Sequence, residues 1–213
     1  MKIKVCGLRD PENISMVADL GADYVGFICY ERSPRFIGNM PADALNNISA
    51  PVHKTAVFVD EPEANINALI DNYGFNAVQL HGNESPEFAD SFRNKATVIK
   101  AFGLDNDFDF DQLNVYADKV DYFLFDTKTA IYGGSGKTFN WNILDKYKLS
   151  VPFFLSGGLS LDNLEELKKI TNPQFYGVDL NSRFETAPGM KDIEKLKQAF
   201  NLLKQFTAHE IRS

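Results

Sequence analysis

The sequence predicts an α/β protein, a single compact (β/α)8 TIM barrel over residues 1–213. Two observations carry that prediction. Short apolar runs of strand character alternate with helix-patterned runs from end to end, which demands a parallel sheet with right-handed crossovers. Several strand runs also hold a polar residue, Lys4, Gln79, Lys100 and Asp179, expected on the same face as the strand's tip. An open sheet covered on both faces would struggle to satisfy these groups, whereas a closed barrel can pair them across its lumen. A doubly wound open sheet is the structural alternative.

Each element has a local reason. The first strand is read in IKVCGL (3–8) and its helix in PENISMVADLG (11–21). Pro11 and Glu12 open that helix, because a proline in the first turn loses no hydrogen bond and a carboxylate there meets the positive end of the dipole. YVGFICY (24–30) precedes PADALNNIS (41–49), and KTAVFV (54–59) precedes EANINALIDNYG (63–74). AVQLH (77–81) leads to SPEFADSFRN (85–94), where Ser85, Pro86 and Glu87 spell a helix start. TVIKAFG (97–103) is followed by FDQLNVYAD (110–118), and DYFLFD (121–126) by NWNILDKY (140–147). PFFLS (152–156) is followed by LDNLEELKKI (161–170), begun by Asp162, and FYGVDL (175–180) by the long amphipathic MKDIEKLKQAFNLLKQF (190–206). A weak repeat sets a glycine behind a strand tip at Gly7, Gly82, Gly103 and Gly157, as tight loops at a barrel's carboxyl end require.

At 213 residues and 44% hydrophobic, the chain suffices for one substantial core and is short for two domains. No apolar run spans a bilayer, and Met1 leads directly into a strand-like run without signal-peptide architecture, so no membrane partner and a cytoplasmic location are expected. Cys6 and Cys29 lie in apolar strand-like segments, which suits reduced thiols better than a disulfide. The net charge of −7 argues against nucleic acid, whose binders present a basic face. His53, His81 and His209 show no ligand spacing with each other or with the cysteines, so no metal site is expected.

Barrel enzymes build their sites from the loops at the carboxyl ends of the strands. Those ends here offer Cys6, Arg35, His81, Asp126, the pair Gly157 and Gly158, and the pair Asn181 and Ser182. Alternation puts Tyr122, Leu124 and Asp126 on one face of the sixth strand and Phe123, Phe125 and Thr127 on the other, before a loop containing Gly133, Gly134 and Gly136. Taken alone, such an Asp reads as part of a surface turn, and a strand cysteine as a small buried hydrophobe, the role left to Cys29. A thiolate at Cys6, its pKa lowered by a nearby cation, would instead serve as a general base. Arg35, anchored by Ser33 and Pro34, suits bidentate capture of a carboxylate, against the simpler reading of a solvated loop arginine. His81 reads equally as a donor to substrate or as a strand cap. Gly157 and Gly158, between a strand and a helix, would gather backbone N–H groups and a helix dipole into a phosphate site facing the segment after the eighth strand.

Together the tips KVCGL, GFICYERSPRFI, VQLHG, FDT with GGSGKTFNW, LSGGLSLDNL and GVDLNSRFETAPGMKD resemble the phosphoribosylanthranilate isomerases of tryptophan biosynthesis, in order and spacing, from residue 3 to about residue 195. The resemblance implies a barrel enzyme that carries out an Amadori rearrangement on a small-molecule phosphosugar substrate, with no cofactor and no metal. Its reaction would convert N-(5-phosphoribosyl)anthranilate to 1-(2-carboxyphenylamino)-1-deoxyribulose 5-phosphate. It places the general base on Cys6, the general acid on Asp126, the contact to the anthranilate carboxylate on Arg35 and the phosphate loop on Gly157 and Gly158. The chain departs from the family at Asn181-Ser182-Arg183, where two serines and a glycine are common. Two other readings compete. Another phosphosugar isomerase would use two carboxylates, against which Cys6 argues, and a non-catalytic phosphate-binding barrel would not need Cys6 and Asp126 together. Nothing in the sequence reads as association with another enzyme of the pathway.

Overall fold

A computed structural model of the chain describes residues 1–38, 40–45, 48, 50–127 and 140–210, with side chains to residue 206. Its barrel strands are β1 (Lys2–Cys6), β2 (Tyr24–Ile28), β3 (His53–Phe58), β4 (Ala77–Leu80), β5 (Thr97–Leu104), β6 (Tyr122–Thr127), β7 (Phe153–Leu155) and β8 (Phe175–Leu180). They pair in sequence order, all in parallel, and β8 returns to β1 with Lys4 in register with Asp179, so the sheet is a closed barrel and not an open one. Tyr24, Ile99, Ala101, Leu124 and Phe154 meet in one cluster with Tyr122 and Tyr176 against it, from strands on opposite sides that only a lumen brings together. Phe123, Phe125, Phe153 and Val178 face the other way, into the core beneath the helical layer. The alternation read in β6 therefore holds, and Asp126 follows Leu124 onto the inner face.

The mid-strand charges divide. Lys4 Nζ lies 2.7 Å from Asp179 Oδ2 with both side chains buried, but the two stand in register on the adjacent strands β1 and β8, so the charges are paired side by side on the inner face and not across the lumen as expected. Lys100 corrects the expectation. Ile99 and Ala101 take the inner face, so Lys100 points outward, over the Phe102 ring at 5.1 Å. Its ammonium is satisfied by Glu84 Oε2 at 3.0 Å and by the carbonyls of Gly82 and Leu80 at 2.8 and 3.3 Å. A buried lysine persists only where donors are filled in this way, and here the acceptors come from β4 and the loop behind it.

The helical layer contains α1 (Pro11–Asp19), α2 (Glu63–Tyr73), α3 (Pro86–Asp90) and α4 (Ile193–Glu210). Asp10 caps α1 by accepting the Asn13 N–H at 2.8 Å, Ser85 caps α3 through the Phe88 N–H, and Gly74 ends α2 at φ 61°. The runs after β2, β5, β6 and β7 are not α-helices but 3₁₀ segments, Ala42–Leu45, Phe110–Tyr116, Trp141–Lys146 and Leu164–Lys169. Phe110 with Leu113 and Leu164 with Leu167 are buried three residues apart, a spacing that a 3₁₀ turn eclipses onto one side. The last of these begins at Leu164, behind Asn163, and not at Asp162.

After β8, a short turn (Ser182–Phe184) leads into a hairpin, β9 (Glu185–Ala187) and β10 (Met190–Lys191), so the first two residues of the run expected as the final helix, Met190 and Lys191, are a strand and the helix begins at Ile193. Pro188 and Gly189 make its turn, and Lys191 stands opposite Glu185. Gly103 lies inside β5, in register with Asp126, and not behind the strand tip. Gly133, Gly134 and Gly136 lie outside the described residues. No helix among the described residues is long and apolar enough to cross a membrane.

Candidate active site

Cys6 ends β1 on the same face as Lys4, opposite Gly26 of β2. A Cβ at Gly26 would stand 2.7 Å from Cys6 Sγ, so this glycine makes the room in which the sulfur sits. Burial pushes the Cys6 thiol up from its ordinary pKa, the ammonium groups of Lys4 and Lys191 pull it back, and Asp179 adds to the rise. The cations expected beside the sulfur are present. They do not win, because taking a thiolate out of water costs more here than the two charges return.

Asp126, at the end of β6, is a fifth exposed. Its Oδ1 accepts the Thr127 N–H at 2.7 Å, and its Oδ2 lies 3.8 Å from His81 Nε2. Burial raises the carboxyl to about 6, with Asp179 adding to the rise and the Thr127 N–H and Lys4 opposing it. His81 is pushed down to about 4 by burial and by the charges of Lys100 and Lys4, so it is neutral at physiological pH. The Gln79 amide nitrogen lies 2.8 Å from His81 Nδ1. With the amide assigned in that orientation, Nδ1 accepts, and the ring proton sits on Nε2, toward Asp126. At 3.8 Å this approach is neither a hydrogen bond nor, with a neutral ring, an ion pair.

Gly157 and Gly158, behind β7, have φ of 87° and 68°, a left-handed backbone that glycine adopts without penalty. A Cβ at Gly157 would stand 2.5 Å from Asp126 Oδ1 and closer still to Thr127 Oγ1, so this loop is pressed directly onto the Asp126 carboxyl. The helix dipole expected behind these glycines is absent, since the next helical turn starts only at Leu164 and is a short 3₁₀ segment. Asn163 shapes the turn instead, its amide donating to the Gly158 carbonyl and its oxygen accepting the Ser160 N–H, both at 2.9 Å. Among the described residues, nothing accepts the N–H of Gly157 or Gly158. Gly157→Ala is expected to cost about 1–2 kcal/mol in backbone strain and to displace Asp126, lowering kcat more than it raises KM. Steady-state kinetics with a thermal melt checks this, and wild-type kcat would show that the loop yields without disturbing the carboxyl.

Arg35 follows a turn in which its N–H donates to Ser33 Oγ at 3.1 Å. Its side chain crosses Gly7, where a Cβ would stand 2.7 Å from Arg35 Cδ and 2.8 Å from Asn181 Oδ1. The side chain is mostly buried, at 13% exposure, and is not a freely solvated loop arginine. It pairs with Glu185 through Nε at 2.9 and 3.0 Å and Nη2 at 2.7 Å. Asn181 Oδ1 accepts from Lys191 Nζ at 2.8 Å, so its side chain serves the hairpin, while Ser182, half-buried, opens the turn behind it. Burial works against the Glu185 charge, yet the bonds and charges of Arg35 and Lys191 hold its carboxyl below the ordinary value.

The structure thus gathers Cys6, Asp126, His81 and the glycine pair around one lumen mouth, with Arg35 and Asn181 meeting over Gly7 beside the thiol. Sequence reasoning missed Gly26, Glu185 and Lys191. For the last two a signal existed, opposite charges flanking Pro188-Gly189 in a segment too polar at its start to continue as a helix.

Residues 3–202 match the family model of N-(5'-phosphoribosyl)anthranilate isomerase. The isomerase of that name from Parabacteroides distasonis is 45% identical over 200 residues, covering 92% of this chain and 90% of its own. That from Phocaeicola vulgatus is 43% identical over 206 residues, covering 96% and 98%. The crystal structure of phosphoribosyl anthranilate isomerase from Thermotoga maritima superposes with a TM-score of 0.82 at 33% identity, covering 96% of this chain and 99% of that one. Another phosphoribosyl anthranilate isomerase, solved in complex with reduced 1-(o-carboxyphenylamino)-1-deoxyribulose 5-phosphate, gives 0.82 at 28% identity over 96% and 99% of the two chains. A match that begins in β1, ends in α4 and is joined by the same barrel in space shows that the chain belongs to the N-(5'-phosphoribosyl)anthranilate isomerase family.

Proposed function

We propose that Asp126 and Cys6, as general acid and general base, carry the isomerisation for which this family is named, the chain's role in tryptophan biosynthesis. The observation that supports these roles best is the state of Asp126. Its Oδ1 is committed to the Thr127 N–H, so the proton of a carboxyl raised to about 6 resides on Oδ2, the oxygen on the His81 side.

The chemistry then follows for a phosphoribosylanthranilate substrate. Oδ2–H gives its proton to the furanose oxygen as the C1–O bond breaks, and the nitrogen lone pair forms the C1=N iminium. The iminium acidifies C2, and the Cys6 thiolate takes the C2 proton to leave an enolamine. That species loses its enol proton and gains one at C1, giving the ketone. Every electron pair stays within the substrate, so the steps need no redox partner. His81, neutral with its proton on Nε2, is placed to donate to substrate without competing for the acid's proton. The N–H groups of Gly157 and Gly158, which no described residue accepts, form the phosphate end of the site, and Arg35 receives the anthranilate carboxylate. The free, buried Cys6 and Cys29 suit a cytoplasmic setting.

The two raised values have a kinetic consequence. The acid is protonated below about pH 6 and the base ionised only above the ordinary thiol range, so the working combination is a minor one at neutral pH. Its population rises tenfold per pH unit up to about pH 6 and then stays level, because further loss of the acid's proton is offset by gain of thiolate. The expected kcat/KM profile is therefore flat from about pH 6 to the thiol's own value, where it falls. A profile that drops tenfold per unit directly above pH 6 would mean that the thiolate is already formed there. The assignment of function itself is tested by the loss of anthranilate fluorescence when the pure protein meets phosphoribosylanthranilate. A rate no faster than the protein-free control would remove it.

A further inference from the structure

Arg35 is held from behind. The Glu185 carboxylate that takes its Nε and Nη2 protons is also bound by Lys191 Nζ at 2.7 Å and by the Gly189 N–H at 3.2 Å. Lys191 is itself clamped, its N–H donating to Asn13 Oδ1 at 2.7 Å and its carbonyl accepting from Asn13 Nδ2 at 3.0 Å, which ties the hairpin to α1. Gly189, at φ 85°, lies where a Cβ would strike the stem of Arg9. A carboxylate fixed by these donors, on a hairpin packed this closely, is not built to swing aside for an arriving ligand.

A guanidinium carries its N–H groups on two bidentate faces, one formed by Nε and Nη2, the other by Nη1 and Nη2. Glu185 occupies the first. Among the described residues nothing accepts from Nη1. The Arg35 stem crosses Gly7, the residue after Cys6, which brings the arginine to the carboxyl end of β1.

We propose that Glu185 is a positioning residue for the substrate carboxylate, holding the Nε/Nη2 face of Arg35 so that its Nη1/Nη2 face stands as a pre-oriented fork. This rests on the reading of Arg35 as the partner of the anthranilate carboxylate. Pre-orientation removes part of the entropy cost of ordering a long side chain on binding. A carboxylate is charged equally in the ground and transition states, so the effect belongs in KM and not in kcat.

The test is a double-mutant cycle of Arg35→Met with Glu185→Ala and with Glu185→Gln, read by steady-state kinetics and thermal melts. Arg35→Met is expected to raise KM at least about tenfold with kcat within about threefold. Each Glu185 variant is expected to raise KM about fivefold or more alone, but less than about twofold when Arg35 is already methionine. The Gln variant keeps the volume and one acceptor for the hairpin while setting an amide donor against the arginine, so it carries the cycle if the Ala variant does not fold. Fluorescence titration provides a second readout, using the reduced product analogue and a counterpart lacking the ring carboxyl. Glu185 variants should weaken the first and leave the second unchanged. A lower KM in a Glu185 variant would overturn the proposal by making Glu185 a competitor for Arg35. An equal rise on both backgrounds, or equal weakening of both analogues, would overturn it by reducing Glu185 to hairpin structure. Arg35→Met with an unchanged KM would remove the Arg35 reading itself, before any Glu185 variant is considered.

Discussion

Cys6→Ala is expected to lower kcat by about 10²- to 10⁴-fold or more while substrate affinity stays within a few fold. In the proposed role, Cys6 as base would act only on the C2 proton, in the transition state, and would contribute little to ground-state binding. The fold should survive the change. Cys6 Sγ packs into space left by Gly26, and its removal leaves a small void while the Lys4–Asp179 pair stays intact. Kinetics alongside a thermal melt separates loss of chemistry from loss of structure. A fully active variant would return Cys6 to the role of a buried hydrophobe, which its burial alone would allow.

Asp126→Asn should be as inactive, because asparagine keeps the Oδ1 acceptor for the Thr127 N–H but has no proton to give the furanose oxygen. The same substitution should make the protein more stable at neutral pH. The carboxyl titrates at about 6 in the folded chain against an ordinary 3.8, so above pH 6 folding must bury a carboxylate that water would hold better. Removing the charge should return on the order of 1–3 kcal/mol above about pH 6, declining through pH 5 and vanishing below about pH 4, where the carboxyl is neutral in both states. Melting temperatures of both proteins across pH 4 to 8 test this. Normal turnover would place the acid elsewhere, and a stability gain equal at pH 4 and pH 8 would show that the carboxyl is not strained by burial.

The barrel strands were legible because each is a run of apolar residues whose period of two puts alternate side chains on opposite faces, and because their tips carried groups a core does not need. Cys6, Asp126 and the glycine pair could be found as such tips. The helices were legible where capping residues mark them, as Asp10 and Ser85 do. They were misread where the run is one or two turns long, since over six residues a period of three cannot be told from one of 3.6. Lys100 was assigned to the wrong face because alternation fixes relative sides only, and the absolute side is set by which neighbours the closed sheet turns inward.

The sequence by itself determined the order of strands, the closed parallel barrel and the set of strand tips, all properties of local pattern and chain order. Only the tertiary structure decided what those tips are chemically. The partner of Arg35 is Glu185, 150 residues away, and no local pattern links the two. The thiol of Cys6 has the cations it was expected to have, yet its pKa rises, because desolvation depends on everything that encloses the sulfur. The carboxyl of Asp126 is raised to about 6 for the same reason. Charge and hydrogen-bonding type are written in a side chain, but the dielectric around it exists only once the barrel has closed.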